Sequence, residues 1–378
     1  MLSARMIYFD NAASTVIVPE VIDVMNECHA GLYGNPSAIH TSGRKARVVI
    51  EQSRRSIASL LHASPSEVIF TSGGTEANNA VLWSCCKDLH KKDFISSRLE
   101  HPSVIRTLEA LVKYFDIRVH YVQHDPIGHI CLDHLEELLQ GIPGTVVSLM
   151  HANNEVGNLL PVKDVSGLCK KYGALFHSDT VQTIGKYDID MSKLSFDFAV
   201  GSAHKFHGPK GAGFLYVRNG IPFEPFITGG GQERNMRAGT ENISGIAGMA
   251  KALELAVESM EENRLYIEGL KVFLIASLKE AIPDIRFNGD AEQHSLYSII
   301  NILLPERADH DMLVPRFDMA GICLSSGSAC SSGSSVGSHV LKALGRAPED
   351  PSVRVSLSRF NTVEEVKRLV EVIKSMCG

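Results

Sequence analysis

Between residues 67 and 217, short apolar runs rich in β-branched residues alternate with amphipathic stretches. This is the pattern of a mostly parallel sheet with helices on both faces. Strands are expected at 68–71, 94–97, 119–122, 146–150, 175–177, 196–201 and 213–217, most of them bounded by Gly, Asn, Asp or Pro. Seven strands suit one large doubly wound α/β unit. Residues 243–282 read as helical, and a domain boundary is expected near Glu261, Glu262 and Asn263. A smaller α+β unit should follow, with strands at 299–303 and 353–357 and a closing amphipathic helix at 363–376. The division expected is 15–258 for the large unit, and 1–14 with 259–378 for the small one. Residues 325–338 hold eight Ser and three Gly around Cys330, the composition of a mobile loop.

Composition narrows the class. A chain of 378 residues, with 44% hydrophobic and 21% charged residues, is an ordinary globular protein. Its net charge of −6 offers no positive field for nucleic acid. No apolar run is long enough to span a membrane and no leader peptide is evident, so a cytoplasmic protein is expected. The eight cysteines form no CxxC pair and show no zinc-ligand spacing, so no metal is expected, and most read as small core residues. His120, His124, His129 and His134 read as surface histidines without an arranged carboxylate.

Three constellations at strand ends carry chemistry. Ser72-Gly73-Gly74-Thr75-Glu76 opens a helix, either as a phosphate site or as a plain turn with Thr75 as N-cap, and it lacks the lysine of a nucleotide P-loop. Asp179 follows a strand and could hold a protonated heterocyclic nitrogen or cap a helix. Lys205, among His204, Phe206 and His207, is a candidate Schiff-base amine or a solvated charge. Phosphate site, carboxylate and lysine in that order are what pyridoxal phosphate requires.

Ten ordered motifs then carry a resemblance over nearly the whole chain: YFDNAAS near the start, GNPSAIHTSGR at 34–44, TSGGTEANN at 71–79, EHPSV at 100–104, HANNEVG at 151–157, HSDTVQTIGK at 177–186, SAHKFHGPKGAG at 202–213, GGGQERNMRAGTEN at 229–242, SSGSAC at 325–330 and VRVSLSRF at 353–360. The sequence resembles the NifS/IscS-type cysteine desulfurases, class V aminotransferase-group enzymes of the pyridoxal-phosphate fold type I. The resemblance implies that Lys205 bonds the cofactor, Asp179 pairs with the pyridinium nitrogen, His101 stacks on the ring and moves protons, and Gln182 donates to the phenolate oxygen. It assigns the phosphate to Gly74, Thr75, Ser202 and His204, with Thr240 reaching in from the second subunit of a homodimer. It assigns the substrate carboxylate to Asn154 and Arg354, and the sulfur of L-cysteine to Cys330 as a persulfide bound for an acceptor such as an iron–sulfur scaffold. Asn235 stands where such enzymes usually carry Gly. A selenocysteine lyase, another class V enzyme or a non-catalytic scaffold are the competing readings.

Overall fold

The structure is a computed structural model that describes residues 6–306, 312–326 and 337–377. Twelve strands lie along these residues. They are β1 (Ile7–Tyr8), β2 (Val68–Thr71), β3 (Asp93–Ser96), β4 (Arg118–Tyr121), β5 (Val146–Ser148), β6 (Leu175–Asp179), β7 (Phe198–Ser202), β8 (Gly213–Val217), β9 (Arg286–Asn288), β10 (Ile299–Leu303), β11 (Ile322–Cys323) and β12 (Ser352–Ser356). Seven of them form one sheet in the order β2-β8-β7-β6-β5-β3-β4. Consecutive residues of its strands feed different cores. Ile95, Val147, Phe176 and Phe214 pack on one face, and Phe94, Val146, Phe198 and Leu215 on the other. Both faces are therefore covered, as the near-continuous apolar runs require.

All expected strands of this sheet are present, β2 and β8 with the expected bounds and the others with ends shifted by one or two residues. β8 alone runs against its neighbours β7 and β2. The link from β7 to β8, residues 203–212, is too short for the crossover that a parallel pair needs. That short return carries Lys205, so the reversal places the lysine at the end of the sheet where β6 and β7 finish.

The expected 243–282 helix is two helices, Ile243–Glu258 and Met260–Ala281. Beyond the break, β12, β10 and β9 form an antiparallel sheet, and β1 pairs with β11. Helix Met260–Ala281 packs against Val363–Cys377 over a separate core that includes Phe9, Leu274, Ile302, Val355 and Leu369. Among the described residues no helix is long and apolar enough to cross a membrane.

Two other expectations are resolved locally. His120 and His129 each meet a carboxylate, Asp93 at 2.9 Å and Asp290 at 3.1 Å, because the chain brings in acids remote in sequence. Cys28, Cys85, Cys86, Cys169 and Cys377 are buried, whereas Cys131 and Cys323 are partly exposed.

Candidate active site

The carboxyl ends of β2, β5, β6 and β7 converge on one open cleft of about 780 Å³, solvent at its mouth included. This is the edge where open α/β sheets bind ligands. Gly74, Thr75, His101, Asn154, Asp179, Gln182, Ser202, His204, Lys205 and Arg354 all line it. Thr240 does not; it is exposed in a separate groove beside Thr71, Ser72 and Arg237. Cys330 lies outside the described residues.

The helix Gly74–Lys87 starts at the cleft with Gly73 at φ 149°, and no side chain caps its first amides. Thr75 is thus not the N-cap, and the amides remain open to an anion. Close packing shapes this turn, since a Cβ on Gly213 would sit 2.5 Å from the Gly73 Cα. Ser202 ends β7 against it. His204 shares the site, and burial, with Lys205 and Lys210 nearby, holds its pKa down to about 4.

Lys205 Nζ donates to the carbonyls of Ala12 at 2.5 Å and Ala13 at 2.8 Å. Gln182 Nε2 donates to the same Ala12 carbonyl at 3.0 Å, and its Oε1 lies 3.5 Å from Lys186 Nζ. Asp179 is buried at the end of β6. Its Oδ1 accepts from Val181 N at 3.0 Å and its Oδ2 from Asn78 Nδ2 at 2.7 Å. His101 caps the helix Pro102–Tyr114 through its ring.

Arg354 reaches the cleft from β12 with 1% of its side chain exposed. Nη1 donates to the Asn154 carbonyl at 2.9 Å and Nη2 to Asp10 Oδ1 at 2.8 Å. Among the described residues its Nε and the neighbouring Asn154 Oδ1 are buried without a hydrogen-bond partner. Unpaired buried polar atoms are costly, and both residues line the cleft.

Several contributors escaped the sequence reading. Asn78, Ser103, His177 and Asp10 hold the expected residues in place. His177 and Asp179 sit two apart on one strand and so share a face, a signal the sequence does contain. The GGGQE passage is pinned by Glu233, which accepts from Arg54 Nη1 and Nη2 at 2.8 Å and from Phe70 N at 2.8 Å. Glu233, Arg234 and Asn235 all have positive φ, at 44°, 56° and 65°. Asn tolerates that region best after Gly, which explains its presence at 235.

Residues 7–369 match the family described as Aminotransferase class-V. A cysteine desulfurase of Sinorhizobium fredii is 39% identical over 376 residues, 98% of this chain and 96% of its own. A solved NifS-like protein superimposes with a TM-score of 0.89 at 37% identity, covering 98% of both chains. The structure titled SspA in complex with cysteine matches with a TM-score of 0.78 at 31% identity over 94% of this chain and 99% of its own. The cleft, the strand order that builds it and these likenesses agree: the chain belongs to the class-V aminotransferase family, within its NifS/IscS-like cysteine desulfurases.

Proposed function

We propose that this protein is a pyridoxal-phosphate-dependent cysteine desulfurase, converting L-cysteine to L-alanine and passing the sulfur to Cys330. The observation that carries the reading is one cleft holding an amine, a buried carboxylate, an open helix start and, opposite, a buried arginine with an unpaired Nε. These residues fit the cofactor. The amides at Gly74 and Thr75, with Ser202 and His204, would hold its phosphate, Asp179 its ring nitrogen, Gln182 its phenolate oxygen and Lys205 its aldehyde carbon. Thr240, exposed on this chain, would serve the phosphate of a second copy in a homodimer. When bound, the cofactor supplies an electron sink that weakens bonds at the substrate Cα and Cβ.

The protein's own groups do the rest. Arg354 and Asn154 bind the substrate carboxylate, a charge-assisted contact with a guanidinium that is almost fully buried. Lys205, placed by the Ala12 and Ala13 carbonyls, is the base for the Cα proton. Cys330 thiolate attacks the substrate sulfur. An S–S bond forms as the Cβ–S bond breaks, and the electrons left on carbon take up a proton to give alanine. Ser325 pairs with the Arg354 backbone, its N–H donating at 3.4 Å and its carbonyl accepting at 2.6 Å. Cys330 follows five residues later, a tether of at most roughly 17 Å. We assign residues 15–258 to the cofactor-binding unit and 1–14 with 259–378 to the unit that delivers Arg354 and Cys330. The persulfide would then pass to a sulfur-accepting protein in the cytoplasm.

The test is sulfide and alanine release from L-cysteine with reductant, wild type beside Cys330→Ser, after recording the visible absorbance and its bleaching by borohydride. Matched alanine and sulfide in the wild type, both lost in the variant, are expected. A yellow protein that makes neither product would retain the cofactor and overturn the substrate.

A further inference from the structure

His101 Nδ1 lies 3.1 Å from Ser103 N and 2.8 Å from Ser103 Oγ. A backbone N–H can only donate, so Nδ1 accepts. Ser103 Oγ lies 2.8 Å from Asn78 Nδ2, and the same nitrogen lies 2.7 Å from Asp179 Oδ2. A carboxylate only accepts, so the Asn78 group facing Asp179 is the NH2, and its two hydrogens serve Asp179 and Ser103. Ser103, already accepting from Asn78, turns its own hydrogen to His101 Nδ1.

The other half of the amide agrees. Asn78 Oδ1 lies 3.1 Å from His177 Nε2, which must therefore donate, leaving His177 Nδ1 to accept from Ser148 Oγ at 2.9 Å. His177 is fully buried, and burial holds its pKa down to about 4, so it remains the neutral donor this chain of bonds requires. The directions follow from two fixed groups: the Ser103 N–H, which only donates, and the Asp179 carboxylate, which only accepts.

Burial also lowers the pKa of His101, with Lys205 and His339 acting in the same sense and Asp179 against it. A neutral imidazole whose Nδ1 accepts two hydrogen bonds carries its proton on Nε2. That nitrogen has no protein partner among the described residues, and His101 lines the cleft.

We propose that His101 is a fixed hydrogen-bond donor to the bound ligand through Nε2, wired by Asn78 and Ser103, and is not the residue that carries protons. Its Nε2 has no lone pair to accept one, and surrendering its hydrogen would leave an imidazolate. Proton transfer at Cα then belongs to Lys205. Asn78, Ser103 and His177 are positioning residues that act through Asp179 and His101. The identity of the ligand rests on the desulfurase reading, whereas the ring tautomer does not.

The experiment is nitrogen NMR of the holoenzyme labelled with ¹⁵N-histidine, the His101 signals being assigned by their loss in His101→Gln. The expected spectrum has a protonated Nε2 and an unprotonated Nδ1. Ser103→Ala and Asn78→Leu should move the Nδ1 resonance downfield as its hydrogen bonding weakens, and Ser103→Thr should restore it. A proton on Nδ1, an imidazolium in the wild type at neutral pH, or a Ser103→Ala spectrum identical to wild type would overturn the proposal. Cysteine turnover on the same samples separates the two ideas. The expected tautomer without turnover sinks the desulfurase reading alone, and turnover with Nδ1 protonated sinks the wiring alone.

Discussion

Asp10→Asn tests how the carboxylate subsite is balanced. Arg354 is almost fully buried, and Asp10, 19% exposed, is its one carboxylate partner among the described residues. Asp10 Oδ1 accepts from Arg354 Nη2 and from Ser325 Oγ, both at 2.8 Å. The amide of Asn keeps an acceptor for both donors and removes only the charge. Charge centres about 4 Å apart attract by about 4 kcal/mol at an effective dielectric near 20. Desolvation offsets part of that, and the retained hydrogen bonds keep the loss below the 3–5 kcal/mol typical of an orphaned buried charge. A net destabilisation of about 2 kcal/mol is expected in urea denaturation of the ligand-free holoenzyme. A ligand carboxylate then becomes the missing counter-charge, so L-alanine should bind the variant more tightly, by up to roughly 30-fold for those 2 kcal/mol. The stability gap should close at saturating L-alanine. Unchanged denaturation together with weaker alanine binding, read from the visible absorbance, would refute the reasoning, because Asp10 would then be shaping the arginine and not neutralising it.

Three further outcomes are expected. Asp179→Asn should fold with wild-type circular dichroism yet lose cofactor on gel filtration, and full retention with full turnover would contradict the pyridinium role. Arg54→Met leaves Glu233 buried with only the Phe70 N–H bonded to it among the described residues and no direct ion pair, which should cost about 3 kcal/mol in a urea titration; adding Glu233→Gln should recover part of it, and a fully additive double variant would mean that the two groups do not interact. Stability should also fall on acidification. His151, His177, His204 and His207 are all held near 4 in the fold, mainly by burial, against an ordinary value of 6.5. Between those values the unfolded chain binds more protons, so stability present above about pH 6.5 is lost as the pH falls toward 4, with the raised pKa of Glu100 opposing it in part. A urea midpoint that is higher near pH 5 than near pH 7 would show that the buried carboxyl outweighs the four imidazoles.

The strands of the large sheet were legible because both of their faces are buried, which leaves unbroken apolar runs such as Phe94-Ile95 and Val146-Val147. Direction was not, since hydrophobic period is the same for parallel and antiparallel strands, and the reversal of β8 is decided by the length of the link before it. β1, β9 and β11, of two or three residues, are too short to show any period. In the site, the residues at strand and helix ends were legible as motifs, Lys205, Asp179, Gly74 and Thr75, whereas Arg354, in the middle of β12, was legible only through the resemblance. Their supports were not. Arg54 lies on a helix whose sequence, with Arg55 and Glu51 beside it, reads as a solvated face, and its partner Glu233 is 179 residues away. Asn78 is one of two adjacent asparagines in a helix, and nothing in the sequence marks it out from Asn79. Only the meeting of that helix with β6 gives its amide a carboxylate on one side and an imidazole on the other.

The N-terminal segment shows how both units come to serve one cleft. Asn11 Nδ2 donates to the Ser356 carbonyl and Ala12 N to Ser356 Oγ, each at 2.8 Å, which fixes the segment to the end of β12 just beyond Arg354. Asp10 holds the Arg354 guanidinium, while the carbonyls of Ala12 and Ala13 face the other way and hold Lys205 and Gln182. Four consecutive residues thus set the distance between the group that would bind the substrate carboxylate and the group that would take its Cα proton. No side chain of Ala12 or Ala13 takes part in this, only their carbonyls, so the two small residues serve by letting the backbone pass close to the lysine. Ala12 is itself buried against Ala152, Leu296 and Ile299, so a bulkier side chain there would have to displace that packing and, with it, the carbonyl that holds Lys205.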